Sequence, residues 1–193
     1  DQGKAVLFYQ TAMDTVYLNE LGIEPLQPEL ERINQIASLG DLKKYLTESA
    51  PLQNRYFFSF GVTPDLNNSN YNAAFMGSGN LGLPERDYYV EEDEHTLYIQ
   101  DEYKKHIARM LGFLGIEEAE AKAKAEAIFE LEKQMAEQQL TKEERRNPII
   151  LNNPKSVAEI SEMMPAIDWK NHFKEIGAEK ADTVIVADLN YLK

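Results

Sequence analysis

Peptide-bond hydrolysis by a metal needs imidazoles that can converge, and the chain offers three histidines: His95, His106 and His172. A zinc peptidase helix carries two imidazoles one turn apart with a glutamate between them, H-E-x-x-H. His95 runs into Thr96-Leu97-Tyr98-Ile99, His106 into Ile107-Ala108-Arg109-Met110, and His172 into Phe173-Lys174-Glu175-Ile176, so no histidine opens that motif. His95 and His106 stand 11 positions apart, which on one straight helix is about 16 Å, too far to share an ion. With no cysteine, thiolate nucleophiles, disulfides and Cys-ligated metals are excluded. The expectation is therefore that this chain holds no metal, contributes no catalytic residue and is not an enzyme by itself.

Other chemistry-bearing patterns resolve into structural ones. Asp65-Leu66-Asn67-Asn68-Ser69-Asn70 is rich in oxygen donors. An EF-hand loop, however, needs Gly at its sixth position and Glu at its twelfth, and these are Asn70 and Met76, so a turn is expected. Gly77-x-Gly79-x-x-Gly82 has the spacing of a dinucleotide fingerprint, but no βαβ unit surrounds it and Pro84 follows; cofactor binding is not expected. Glu91-Glu92-Asp93-Glu94 sits where a helix begins, and acidic residues there favour the positive end of the dipole. The net charge of −13 disfavours nucleic acid as a partner. No apolar run approaches the roughly 20 residues of a membrane span.

The elements that would carry these residues are mostly helices. Val6, Tyr9, Met13, Val16, Tyr17 and Leu21 recur at helical spacing over 4–21, with Gly22 as C-cap. Pro28 opens a short second helix, and Ser38 caps a third that ends at Pro51. Tyr56–Val62 is aromatic and β-branched and reads as a strand, with 71–76 as the return strand of a hairpin. Two long helices follow the glycine-rich loop. One starts near Asp93, with the stripe Ile99, Tyr103, Ile107, Met110 and Leu114. The other spans about Glu117–Gln139, with the stripe Ala121, Ala125, Ile128, Leu131 and Met135. They are expected to pack as an antiparallel hairpin. Short helices over 156–164 and 168–176 and a short strand over 183–187 complete a mainly α chain with a small β portion. No linker interrupts it, so 1–193 reads as a single helical domain.

Several segments, in order, carry a resemblance. Leu81-Gly82-Leu83-Pro84-Glu85-Arg86-Asp87-Tyr88-Tyr89-Val90 is similar to the G-L-P-x-R-D-Y-Y signature of the neprilysin family of zinc metallopeptidases, which includes the bacterial oligopeptidase O enzymes. Phe8-Tyr9-Gln10-Thr11-Ala12-Met13-Asp14, Pro25-Leu26-Gln27-Pro28-Glu29-Leu30 and Arg145-Arg146-Asn147-Pro148 resemble further family segments. So does Ile185–Leu192, in which Leu189 replaces a usual proline.

The resemblance implies the family's second, mainly helical domain, which faces the zinc-bearing domain across a cavity and restricts entry to peptides. It places the zinc helix, the third zinc ligand and the substrate-binding N-A-Y/F-Y segment downstream of this chain. The implied cofactor of a longer parent polypeptide is zinc, and the implied partners are its catalytic domain and peptide substrates. The compartment stays open between bacterial periplasm or cell envelope and cytoplasm, since Asp1-Gln2-Gly3-Lys4 is not a targeting segment. A freestanding peptide- or protein-binding helical module is the alternative. The candidate site residues are Gly82, Leu83, Pro84, Arg86, Asp87, Tyr88 and Tyr89, with a second loop at Arg145, Arg146, Asn147 and Pro148. Arg86 is expected to anchor its loop on backbone carbonyls or a carboxylate, and the two tyrosines to bury their rings with the polar tips satisfied.

Overall fold

The computed structural model describes residues 2–52 and 54–192; Asp1, Gln53 and Lys193 lie outside the described residues. The chain is mainly α-helical, with the long helical hairpin and the β-hairpin that the sequence predicts. The single N-terminal helix does not hold. Asp14 interrupts it, accepting from the Tyr17 amide at 3.0 Å, and splits the segment into α1 (Gln2–Met13) and α2 (Thr15–Leu21). A carboxylate that caps its own downstream turn competes with helix continuation. Gly22 ends α2 at φ +54°, as expected of a helix-terminating glycine. Then follow α3 (Gln27–Asn34), with Pro28 in its first turn, and α4 (Leu39–Ser49), capped by Ser38.

The hairpin is β1 (Phe58–Pro64) and β2 (Asn72–Ser78), paired antiparallel from Phe58↔Ser78 to Pro64↔Asn72. Its turn closes with the Asp65 amide donating to the Tyr71 carbonyl at 2.9 Å, while Asp65 Oδ1 accepts from the Asn67 amide at 2.8 Å. After the loop come α5 (Asp87–Val90), α6 (Glu94–Phe113) and α7 (Glu118–Gln138). Asp93 caps α6 through the His95 and Thr96 amides, which gives the acidic run its role. The chain continues through α8 (Pro148–Leu151), β3 (Asn153–Ser156), α9 (Val157–Met163), α10 (Trp169–Glu175) and β4 (Thr183–Val186). Ser156 and Glu159 form a reciprocal capping box on α9.

Sequence patterns alone do not reveal that the β elements join into one sheet. Its order is β1-β2-β4-β3, with β2 and β4 parallel and the other pairs antiparallel. β3 is too short, and too polar in Asn153-Pro154-Lys155-Ser156, to stand out from a loop.

Two hydrophobic clusters result. One joins Met76, Val184 and Val186 of the sheet to Ile160, Trp169, Phe173 and Leu192. The Trp169 indole there donates to the Met164 carbonyl at 2.9 Å, as a buried indole N–H requires. The other joins Tyr89 to Phe129 and Ala136 of α7, flanked by Leu81, Leu83, Val90 and Tyr103. The apolar stripe expected on α7 holds at Ala121 and Ala125 and shifts by one position after them. Ala121, Ala125, Phe129 and Ala136 are buried, whereas Ile128 and Leu131 are exposed. The inward line runs 121, 125, 129, 132, 136 and includes an acid, Glu132.

Candidate functional site

The loop between β2 and α6 is held by that acid. Glu132 Oε2 accepts from the hydroxyls of Tyr89 and Tyr103, each at 2.8 Å, and Oε1 accepts from the Gly82 amide at 3.2 Å. The Tyr89 hydroxyl in turn accepts from the Leu83 amide at 2.8 Å. Tyr89 is 1% exposed, stacked on Phe129 with centroids 5.4 Å apart and edge-on to Tyr103. Burial foremost, with the Glu132 carboxylate adding to it, holds both phenols well above the usual tyrosine range, so they act as neutral donors. A Cβ at Gly82 would come within 1.7 Å of the Tyr103 hydroxyl oxygen, which is why glycine stands there. The next ring, Tyr88, packs against the same cluster, and its carbonyl accepts from the Gln100 amide nitrogen at 3.1 Å.

Arg86 departs from its expected role. Its Nη1 is 3.8 Å from Asp87 Oδ1, and its Nε is buried with no acceptor among the described residues. The anchor is Lys142 instead, 2.7 Å from Glu85 and 2.8 Å from Asp87. The hydrogen bond to Asp87, then that to Glu85, raises the Lys142 ammonium above its usual range.

Lys142 also explains how the second predicted loop comes to the first. It follows the end of α7, where Thr141 and Glu144 cap each other: the Thr141 amide donates to Glu144 at 2.8 Å and the Glu144 amide to Thr141 Oγ1 at 3.2 Å. Arg145 Nε donates to the Leu140 carbonyl at 3.1 Å. Arg146 ends the 3-10 turn and is exposed. Asn147 caps α8 by accepting from the Ile149 amide at 3.0 Å, and Pro148 is its first residue. Both loops thus meet at the C-terminal end of α7 around a polar cleft of about 370 Å3, lined by Ser78, Asn80, Gln139 and Arg145 among others. That end is tied to the sheet. Gln139 donates to the Gly79 carbonyl at 3.0 Å, and buried Asp188 accepts from the amides of Leu140 (3.0 Å) and Tyr191 (3.1 Å). Burial raises the Asp188 carboxyl above its usual range, and these amide donors oppose the shift.

Glu132, Lys142 and Asp188 were not singled out by the sequence. Glu132 and Lys142 lie among charged and polar neighbours and Asp188 follows the apolar run Val184–Ala187, and only the partners identify them. Within the two loops Tyr89, Arg145 and Asn147 hold backbone groups and Glu85 and Asp87 hold Lys142, while the Arg86 Nε has no acceptor among the described residues.

The histidines do not converge. His95 lies in the first turn of α6, His106 bonds Arg109 at 2.9 Å further along it, and His172 is buried on α10 between Phe58 and Trp169. Among the described residues no group of three or more His, Asp or Glu side chains could hold a metal, so these residues do not fit a zinc centre. No described helix is long and apolar enough to cross a membrane.

This arrangement, a helical hairpin clamped to a mixed sheet through a G-L-P-x-R-D-Y-Y loop, belongs to a known class of metallopeptidases. The N-terminal model of peptidase family M13 matches residues 1–193, and the chain belongs to that family, the neprilysin family. Endothelin-converting enzyme 1 of Homo sapiens is 27% identical over 202 residues, covering 98% of this chain and 26% of that protein. Neprilysin-3 of Drosophila melanogaster is 25% identical over 180 residues, covering 88% of this chain and 23% of that protein. The chain therefore spans about a quarter of the length of the curated relatives it matches. The fold is shared with Mycobacterium tuberculosis zinc metalloprotease Zmp1 in complex with an inhibitor (TM-score 0.83, 24% identity, 93% of this chain and 28% of that one). It is shared also with PepO from Lactobacillus rhamnosis (TM-score 0.70, 18% identity, 90% and 28%).

Proposed function

We propose that residues 1–193 form the lid and substrate-gating domain of a zinc metalloendopeptidase that cleaves oligopeptides. Its contribution is shape and exclusion, and the zinc chemistry belongs to a catalytic domain elsewhere in the same polypeptide. The observation that carries this reading is the match of the whole chain to a family of peptidases of which it covers only about a quarter. The internal engagement of the two motif loops supports it: they hold wall elements in place and present no reacting group.

Under this reading Gly82, Leu83, Pro84, Arg86, Asp87, Tyr88 and Tyr89 fix the base of the α6–α7 hairpin, and Arg145, Arg146, Asn147 and Pro148 shape the turn beneath it. A hairpin of two helices, each about 30 Å long by its residue count, makes a stiff wall. Peptides then enter only when the two domains part, a rigid-body motion of the microsecond-to-millisecond class.

The test is a reversible disulfide between this domain and the catalytic domain of the parent polypeptide. Locking it is expected to suppress cleavage of a long peptide far more than that of a dipeptide-sized reporter, and reduction to restore both. Equal cleavage of long and short substrates by the locked enzyme would remove the gating role. Peptide hydrolysis and stoichiometric zinc in the purified 193-residue chain would remove the division of labour.

A further inference from the structure

β1 is an edge of the sheet, bonded on one side to β2 and on the other to no strand among the described residues. In an antiparallel pair, alternate residues carry the ladder bonds. The Asp65 amide donates to Tyr71 in the same register, so the odd-numbered residues Ser59, Gly61 and Thr63 bond β2. Phe58, Phe60 and Val62 then turn their N–H and C=O groups to the open edge, and among the described residues none of these has a backbone partner. Seven residues is a long edge, no described strand bonds it, and such an edge is a template for another strand. The opposite edge, β3, has four residues and contains Pro154.

A cavity of about 420 Å3 runs beside this edge. The side chains of Phe58 and Phe60 lean onto α10, with ring centroids 5.0 Å from Trp169 and 5.3 Å from Phe173. Val62, next on the same face, is 68% exposed. Leu46, Pro51 and Ile176 supply apolar walls. His172 also lines the cavity, 3% exposed and with its Nδ1 unpaired among the described residues. A residue added directly opposite Phe58, Phe60 or Val62 would bond the edge through its own amide and send its side chain to the same face, into this cavity. Two charges flank it, Arg55 before β1 and Glu175 on the last turn of α10, and neither has an ion-pair partner among the described residues.

We propose that β1 is a docking edge for an extended peptide, which adds as an antiparallel strand and seats alternate apolar side chains in the cavity between β1, α4 and α10. The antiparallel sense is the one that brings the peptide's C-terminal carboxylate to Arg55, which precedes β1 and lines the cavity. Main-chain bonds then give affinity without sequence preference, and the pocket gives a preference for large apolar residues at every second position. The proposal rests on the lid reading only in taking peptide as the ligand.

The test uses the 193-residue chain and a fluorescein-labelled heptapeptide of alternating threonine and phenylalanine, with a basic N-terminus and a free C-terminus, followed by anisotropy. Saturable binding is expected. Val62→Pro removes one outward N–H without touching the β2 ladder, and Gly61 before it has no Cβ to clash with the ring. It is expected to weaken binding at least about tenfold. N-methylation of the phenylalanine amides is expected to abolish binding, and N-methylation of the threonine amides to leave it intact. Arg55→Gln and C-terminal amidation of the probe are expected to weaken it by similar factors.

If Val62→Pro unfolds, judged by the near-ultraviolet signal of Trp169, the N-methylated pair decides the question on the unaltered chain. Non-saturable binding, equal binding of the two N-methylated probes, or loss of probe through self-association of the chain would each overturn the proposal. Probe binding together with failure of the locked-enzyme test would remove the lid reading and leave the docking edge. The reverse result would remove the docking edge alone.

Discussion

Glu132→Ala is expected to destabilise the chain by about 3 kcal/mol. Three donors lose their acceptor: the Tyr89 hydroxyl at 2.8 Å, the Tyr103 hydroxyl at 2.8 Å and the Gly82 amide at 3.2 Å. Hydrogen bonds to a charged group contribute about 1.5–3 kcal/mol each, and a stranded buried donor costs about 1–3 kcal/mol. The full sum overshoots here. Tyr103 is only half-buried and can turn to water, the Gly82 bond is long, and deleting a carboxylate also removes its desolvation cost. Tyr89, 1% exposed, has no such escape. For a chain of this size about 3 kcal/mol lowers the melting midpoint by roughly 6–12 °C. Glu132→Gln separates charge from geometry. One amide oxygen can still receive both hydroxyls, but the NH2 now faces the Gly82 N–H, so a loss of about 1 kcal/mol is expected. Circular dichroism melts of the two variants, with Tyr89→Phe to close a double-mutant cycle, make the measurement. A Glu132→Ala midpoint within about 2 °C of the parent would refute the claim that this acid holds the loop.

Gly82→Ala forces a methyl toward the Tyr103 hydroxyl and is expected to cost about 1–3 kcal/mol in urea unfolding; a neutral outcome would mean that the tyrosine simply turns away. Ser156→Ala removes the acceptor of the Glu159 amide and half of the capping box on α9, for a loss of about 1 kcal/mol in the same assay. Burial depresses the His172 imidazole below its ordinary 6.5, so the unfolded chain takes up the proton first as pH falls. The stability that His172 contributes is therefore complete above that value and declines as pH drops through it. Urea midpoints between pH 8 and pH 5 should show this fall in the parent and a smaller one in His172→Phe, and identical slopes would contradict it.

What the sequence made legible was local. Ser38, Asp93, Ser156 and Gly22 terminate helices as their types predict, because a cap is decided by a side chain and the amides next to it. The α6–α7 hairpin and the β1–β2 hairpin were equally readable, since each pairs neighbours in the chain. Contacts between distant segments were not. The parallel pairing of β2 with β4 joins strands separated by the whole of α5 to α10. No pattern in Thr183-Val184-Ile185-Val186 says which strand it will meet. At the candidate site the G-L-P-x-R-D-Y-Y loop was visible, but its holder was not. Glu132 stands between Leu131 and Lys133, where period counting reads an exposed acid and assigns Leu131 inward. Over this turn Glu132 faces inward in place of Leu131, because a carboxylate that satisfies two phenols and an amide can be half-buried, while Leu131 can stay in water at modest cost.

A guanidinium next to a carboxylate in sequence reads as an anchor, yet consecutive side chains diverge, and Arg86 reaches Asp87 only at 3.8 Å. Lys142, which reaches Asp87 and Glu85 from across the fold, does what Arg86 was expected to do, and does it from the second motif loop. The two loops are therefore one device, joined by Lys142 and set on the sheet by Gln139 and Asp188. All four connections lie at the C-terminal end of α7. The far end of the hairpin, where Phe113 and Leu114 are exposed, lies beyond them. A lever fixed at one end transmits motion of its base along its full length. Under the proposed lid reading this places the stiffness in the helices and the point of control at the loops, so substitutions at Lys142 or Asp188 should alter the setting of the whole hairpin, while those at Phe113 should alter only what it touches.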